Sequence, residues 1–193
     1  VRKIMVLGAE YGISAQITPV FVAGTVLDAG SLPVAHNPLG KIPSLLLEDG
    51  LCLHDSRVIS RYLDDRFDLS VYPKGPMLWP ALAREAVIDG MIEASVAMVY
   101  ELRLRPAPIQ FAPWIEGQWA KIARGLAMFE AAPPADALAD SPLDMIQIAL
   151  GCVLAHLDFR HSARDWRSAN PNLAAWYETV RTRAAFVATT PPV

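Results

Sequence analysis

Asn37-Pro38-Leu39-Gly40-Lys41-Ile42-Pro43 stands directly before a short apolar run, Ser44 to Glu48. A proline disfavours helical backbone at the residue before it, so Ile42 is expected to be extended. Pro43 itself has no N–H to give a sheet ladder. The backbone of Ile42 therefore belongs at an outward-facing sheet edge, where an extended peptide can add as a further strand. Ser44–Glu48 and Leu51–His54 are joined by Asp49-Gly50, which predicts a hairpin. Asp55-Ser56 then opens a helix carrying Val58, Ile59, Tyr62 and Leu63 on one face. A helix start presents free N–H groups and the positive end of a dipole, so it holds a carboxylate well. The Ser56 hydroxyl adds a donor there, and Lys41 is placed to hold a second carboxylate. Taken alone, Asp55-Ser56 reads as a helix cap and Gly40–Pro43 as a turn. On either side of one hairpin they read together as a binding site.

Upstream of this stretch, Val1, Ile4, Met5 and Leu7 recur at helical spacing and Gly12 supplies a stop. Ile17–Val22 predicts a strand, with Pro19 confining it to an edge or irregular position. Ala23–Gly40 is rich in Gly and Pro and reads as loop. Residues 1–67 therefore form a small α/β unit of helix, strand, hairpin and helix. The chain opens with Val1-Arg2-Lys3 already inside an apolar-periodic segment, so further residues are expected upstream of Val1.

Downstream, residues 68–78 read as a linker carrying Pro73, Gly75 and Pro76, and residues 79–193 as an all-helical unit. A long helix carries one stripe of Val87, Met91, Ala94, Met98 and Leu102 and a second of Ile88, Ile92, Val96 and Val99. Two stripes imply cover on two sides, by its own bundle or by a partner subunit. Ile115, Trp119, Ile122, Leu126 and Phe129 mark the next helix, and Trp114 to Trp119 reads as core. Leu143, Ile146, Leu150, Val153 and Leu157 mark a helix apolar all round, expected at the centre. Ser141-Pro142-Leu143-Asp144 fits a capping box, with Asp140 standing where a hydrophobic staple would be. Asn170-Pro171 opens a last helix with Leu173, Trp176, Tyr177 and Val180.

Composition narrows the function. Of 193 residues, 53% are hydrophobic, enough for a real core. Seventeen Lys and Arg against twenty Asp and Glu give a formal net charge of −3. No general attraction to nucleic acid or acidic membranes follows, and the scattered arginines, Arg57 and Arg160 among them, read as solvated. The longest apolar stretch, Met145–Leu157, is too short to span a bilayer. Two distant cysteines, Cys52 and Cys152, form no disulfide framework, so a reducing, cytoplasmic setting is expected. Both read as packed thiols. His54, His156 and His161 match no metal spacing, and no metal is expected.

NPLGKIP, a hairpin and then DSRVISRYLD is similar to the amino-terminal domain of bacterial glutathione transferases. Trp79–Glu93 and Ile148–Trp166 also look like that family, and the resemblance covers essentially the whole chain. It implies a thioredoxin-like domain, its first strand lying before Val1, followed by the family's all-α carboxy-terminal domain. It implies glutathione as co-substrate and a homodimer. Ile42, next to a cis Pro43, would pair its backbone with the cysteinyl part of glutathione. Asp55 and Ser56 would hold the γ-glutamyl end and Lys41 the glycine carboxylate. The family's catalytic Ser, Tyr or Cys falls before Val1, and Tyr11, at the far end of the first helix, does not take its place. The implied activity joins the glutathione thiolate to an apolar electrophile lying between the domains, against the long helix near Met91–Tyr100. A non-catalytic binding role, or isomerase, dehalogenase or peroxidase chemistry, is the alternative. In some family members an acidic residue at Asp89 reaches the partner's glutathione; a surface carboxylate is the simpler reading here.

Overall fold

The computed structural model describes residues 1–135 and 141–191. Helix α1 (Arg2–Glu10) opens the chain and buries Ile4, Val6 and Leu7. Gly12 follows at φ +70°, a left-handed turn that a side chain would oppose. Strands β1 (Ser44–Leu46) and β2 (Cys52–His54) form an antiparallel pair with Ser44 opposite His54 and Leu46 opposite Cys52. Their connection is longer than Asp-Gly alone. Gly50 N–H donates to Leu47 O at 3.0 Å and Leu47 N–H to Leu51 O at 2.9 Å, with Gly50 at φ +88°. That is a three-residue loop with glycine in the left-handed position.

The strand expected at Ile17–Val22 is not formed. This segment lies outside the two-stranded sheet, with Val20 79% and Phe21 93% exposed. An apolar run becomes a strand only when a neighbour takes its backbone bonds, and Pro19 removes one donor besides.

Helix α2 (Ser56–Phe67) follows the hairpin, and a tight turn at Gly75–Met77 leads into α3 (Leu78–Leu104). Then come α4 (Ala112–Ala131), α5 (Met145–Arg160), α6 (Pro171–Arg181) and α7 (Ala184–Ala188). One hydrophobic cluster runs from Ile4 through Ile88 and Leu150 to Phe186. Helix α1 ties it together by packing on α2 and also on α5 and α7. Each large apolar side chain fully enclosed there contributes roughly 1.5–3 kcal/mol.

Helix α5 is central, buried on most of its faces from Met145 to Leu157, as its all-round apolar pattern predicts. Its capping box is not the one read from Ser141. Asp144 is the N-cap: Gln147 N–H donates to Asp144 Oδ1 at 2.8 Å, and Asp144 N–H to Gln147 Oε1 at 2.8 Å. The helix starts later because Asp144 and Gln147 satisfy both free donors reciprocally. In this register Leu143 and Ile148, both buried, occupy the two staple positions. Asp140 lies outside the described residues.

Helix α3 buries the middle of its first stripe, Met91, Ala94 and Met98, together with polar residues that the stripe did not include. Glu85, Ile88, Met91, Ala94, Ser95, Met98 and Glu101 are buried, while Val87 and Leu102 are exposed. It packs on α4 and α5. Gly125 lets α4 come close, since a Cβ there would sit 2.5 Å from Met91 Sδ. Trp114 is exposed and Trp119 only partly buried, so that segment is less of a core than expected. Asn170 precedes α6, but its side chain donates to Trp166 O instead of capping. Glu130 of α4 caps α6, accepting from Asn172 N–H at 3.1 Å and Leu173 N–H at 2.8 Å.

Candidate functional site

The register of the hairpin decides what meets what. Ser44 opens β1 and lies opposite His54, which closes β2. Ile42–Pro43 and Asp55–Ser56 are therefore at the same end of the sheet. The Ile42–Pro43 bond is cis, as the family resemblance implies. Ile42 is 47% exposed, and among the described residues nothing bonds to its backbone N–H or carbonyl. The side chain of Lys41 is exposed and unpaired among those residues.

Asn37 builds this loop, a role the sequence reading missed. It is buried, and its amide donates to Lys41 O at 2.8 Å while its Oδ1 accepts from Leu39 N–H at 3.1 Å. Gly40 N–H closes the turn on Asn37 O at 2.8 Å, with Gly40 at φ +60°. The signal was available: Asn shortly before a Gly favours such self-bonded turns.

Asp55 is the N-cap of α2, with Ser56 as the first helical residue. Its backbone sits at φ +70°, ψ +129°, a conformation that side chains rarely adopt. Such strain persists where surrounding contacts impose it, often at binding sites. Arg57 grips the side chain of this residue. Its backbone N–H and Nε both donate to Asp55 Oδ1, at 2.9 and 3.1 Å, and its Nη2 to Oδ2 at 2.9 Å. These bonds hold the Asp55 carboxyl down at about 2, against the opposing effect of partial burial. Asp55 is therefore an anion throughout the physiological range. Arg57 is not the free solvated charge its scattering suggested.

Asp89 of α3 corrects a second reading. It is only 15% exposed and lies within this chain's own ion network. Lys3 Nζ reaches Asp89 Oδ1 at 3.1 Å and Glu85 Oε1 at 3.1 Å, and Arg57 Nε lies 3.6 Å from Asp89 Oδ2. The Tyr72 hydroxyl donates to Glu85 at 3.0 Å. Burial, then the Glu85 charge, pushes that hydroxyl far above its usual range. A charged chain thus runs from Asp55 through Arg57, Asp89 and Lys3 to Glu85, linking α2, α3 and α1.

Other candidates fall away. The Tyr11 hydroxyl donates to Leu143 O at 3.0 Å and is pushed up to about 12 by burial and nearby carboxylates. It is committed to packing and far from losing its proton. Burial raises the Cys152 thiol to about 11. Among the described residues no group of histidines, cysteines and carboxylates is arranged to hold a metal ion, and no helix is long and apolar enough to cross a membrane. Along the Met91–Tyr100 stretch of α3, Met91 and Met98 are buried in the core and Tyr100 is exposed.

Comparison with known proteins agrees with this geometry. Residues 1–66 match the model of the glutathione S-transferase N-terminal domain, and residues 112–179 that of the C-terminal domain. The chain is 30% identical to the uncharacterized GST-like protein YibF of Escherichia coli K12, over all of this chain and 94% of that one. It resembles the crystal structure of a glutathione transferase family member from Pseudomonas fluorescens Pf-5 with bound glutathione. The identity there is 40%, the TM-score 0.92, and the match covers 100% of this chain and 94% of the other. A glutathione S-transferase from Methylobacillus flagellatus KT with glutathione bound gives 37% identity and a TM-score of 0.85, covering 99% and 94%.

Proposed function

We propose, on the premise that this chain belongs to the glutathione S-transferase family, that it binds glutathione and joins its sulfur to an apolar electrophile. A reduced thioredoxin-like domain followed by the family's helical domain is its architecture, with boundaries we assign as 1–67, a linker at 68–78, and 79–193. The observation that carries the proposal is full-length likeness, at 40% identity, to a relative holding glutathione.

The site residues fit the ligand's chemistry. Glutathione is an extended tripeptide with a carboxylate at each end and an ammonium at one. The open backbone of Ile42, set by Pro43, suits pairing with the cysteinyl unit. The ionised Asp55 suits the γ-glutamyl ammonium, and the Ser56 hydroxyl and helix start suit the neighbouring carboxylate. Exposed Lys41 suits the glycine carboxylate. Bound this way, the sulfur is held for attack on a second molecule, and holding two reactants together is itself a large part of catalysis. The protein works as a homodimer in a reducing cytoplasm; exposed Trp79, Val87 and Tyr100 on α3 and two unpaired cysteines support those assignments.

The test is conjugation of glutathione to 1-chloro-2,4-dinitrobenzene. The carbon–sulfur bond forms, chloride leaves, and the thiol proton goes to solvent. The proposal expects a rate above the uncatalysed one that saturates in glutathione. Glutathione binding without any such rate, across several electrophile classes, would favour the non-catalytic reading.

A further inference from the structure

The peptide unit between Lys41 and Ile42 is gripped at one end and open at the other. Its carbonyl, Lys41 O, accepts from the Asn37 amide at 2.8 Å and from the Ser44 hydroxyl at 3.1 Å. The Asn37 amide also donates to Ser44 Oγ at 3.4 Å, so the two jaws brace each other. The N–H of the same unit, that of Ile42, has no partner among the described residues.

Each jaw is anchored in a different part of the fold. Asn37 is 1% exposed, its N–H donates to Pro33 O at 2.7 Å, and its Oδ1 accepts from Leu39 N–H at 3.1 Å. Ser44 opens β1, where the hairpin register sets it opposite His54. A trans peptide is planar, with its C=O and N–H pointing in opposite directions. Left alone, the unit would rock about ψ of Lys41 and φ of Ile42, the soft torsions on either side of it. Holding the carbonyl from two sides stops that motion and fixes the direction of the Ile42 N–H. A strand-like ligand binds more tightly to groups already aimed at it, because ordering them on binding costs free energy.

Resting on the reading that glutathione pairs with Ile42, we propose that Ser44 and Asn37 are positioning residues for that ligand. They hold the Lys41 carbonyl so that the Ile42 N–H faces the cysteinyl carbonyl of glutathione. Both act through the Ile42 peptide and not by touching the ligand.

Ser44 is the residue to change, because it is only half-buried. The enclosed Asn37 holds the loop itself. Glutathione is titrated by calorimetry into the parent, Ser44→Ala and Ser44→Thr, and the amide NMR spectra are compared at saturation. Ser44→Ala should bind about fivefold more weakly than the parent. Ser44→Thr, which keeps the hydroxyl, should bind as the parent does. Saturating glutathione should move the Ile42 N–H resonance downfield in the parent and Ser44→Thr, and clearly less in Ser44→Ala. The Ser56 N–H should move equally in all three. A role confined to stability would leave the Ile42 shift at saturation unchanged. Parent binding matched by Ser44→Ala, an equal Ile42 shift in the two, or a Ser44→Thr as weak as Ser44→Ala would each overturn the positioning role while leaving the glutathione reading in place. A parent that binds no glutathione would overturn that reading and this one with it.

Discussion

Asp55 shows how one side chain is prepared for its task. Arg57 grips both carboxylate oxygens, and the pair is about half exposed, so its value is in charge and orientation more than in stability. A carboxylate whose folded value is depressed contributes stability above its unfolded value, here 3.8, and loses it as pH falls towards about 2. At pH 7, Arg57→Gln should therefore cost under about 1 kcal/mol. It should also return the Asp55 carboxyl towards about 3.9 in an NMR titration; an unmoved value would mean Arg57 is not the cause. His156 on α5 is the opposite case. Burial, then the neighbouring His161, lowers its value to about 4, and its Nε2 is buried without a hydrogen-bond partner among the described residues. Below pH 6.5 the unfolded chain takes up a proton that the folded one refuses until about 4, so stability is lost as pH falls through that window. The loss is on the order of 3 kcal/mol. His156→Phe should flatten the fall in melting temperature between pH 6.5 and 4 without lowering stability at pH 7. A variant with the parent's acid profile would place the effect elsewhere.

At the scale of elements, α5 is the part whose ends matter most. Its start is fixed by Asp144 and Gln147, so Asp144→Ala should destabilise by about 1 kcal/mol in chemical denaturation. Ser141→Ala should change nothing measurable; the reverse result would restore the capping box to Ser141. The helices were legible in the sequence because repeated apolar spacing shows which face is buried, and α4, α5 and α6 bury most of the residues so identified. Caps were less legible. Several Ser, Asp and Asn residues can serve, and tertiary partners choose among them, as Glu130 does for α6. The strand read at Ile17–Val22 failed for the same reason. Its formation depends on a neighbour, which no local pattern encodes. The inward face of α3 was legible at Met91, Ala94 and Met98 but not at Glu85, Ser95 and Glu101, which are buried with partners that a hydrophobic pattern does not count.

Across the whole molecule, the charged chain from Asp55 to Glu85 joins α2, α3 and α1. Lys3 is its hub, 8% exposed beside a Glu85 that is 1% exposed. Lys3→Met leaves Glu85 without its cation and should cost roughly 3–5 kcal/mol. Adding Glu85→Gln should recover part of that loss, because the amide keeps an acceptor for Tyr72. A double variant less stable than the single one would contradict this account. The network was hidden in the sequence because its members lie 82 and 86 positions apart. The candidate binding residues were legible because Ile42–Pro43 and Asp55–Ser56 are tied by one hairpin, whose register brings them together. The central claim, that these residues bind glutathione, is tested most directly by titration calorimetry of glutathione into the parent chain and Ser56→Ala. The account predicts one glutathione per chain, and roughly tenfold weaker binding in Ser56→Ala with an unchanged melting temperature. No heat at millimolar glutathione, or equal affinity in the two proteins, would contradict it.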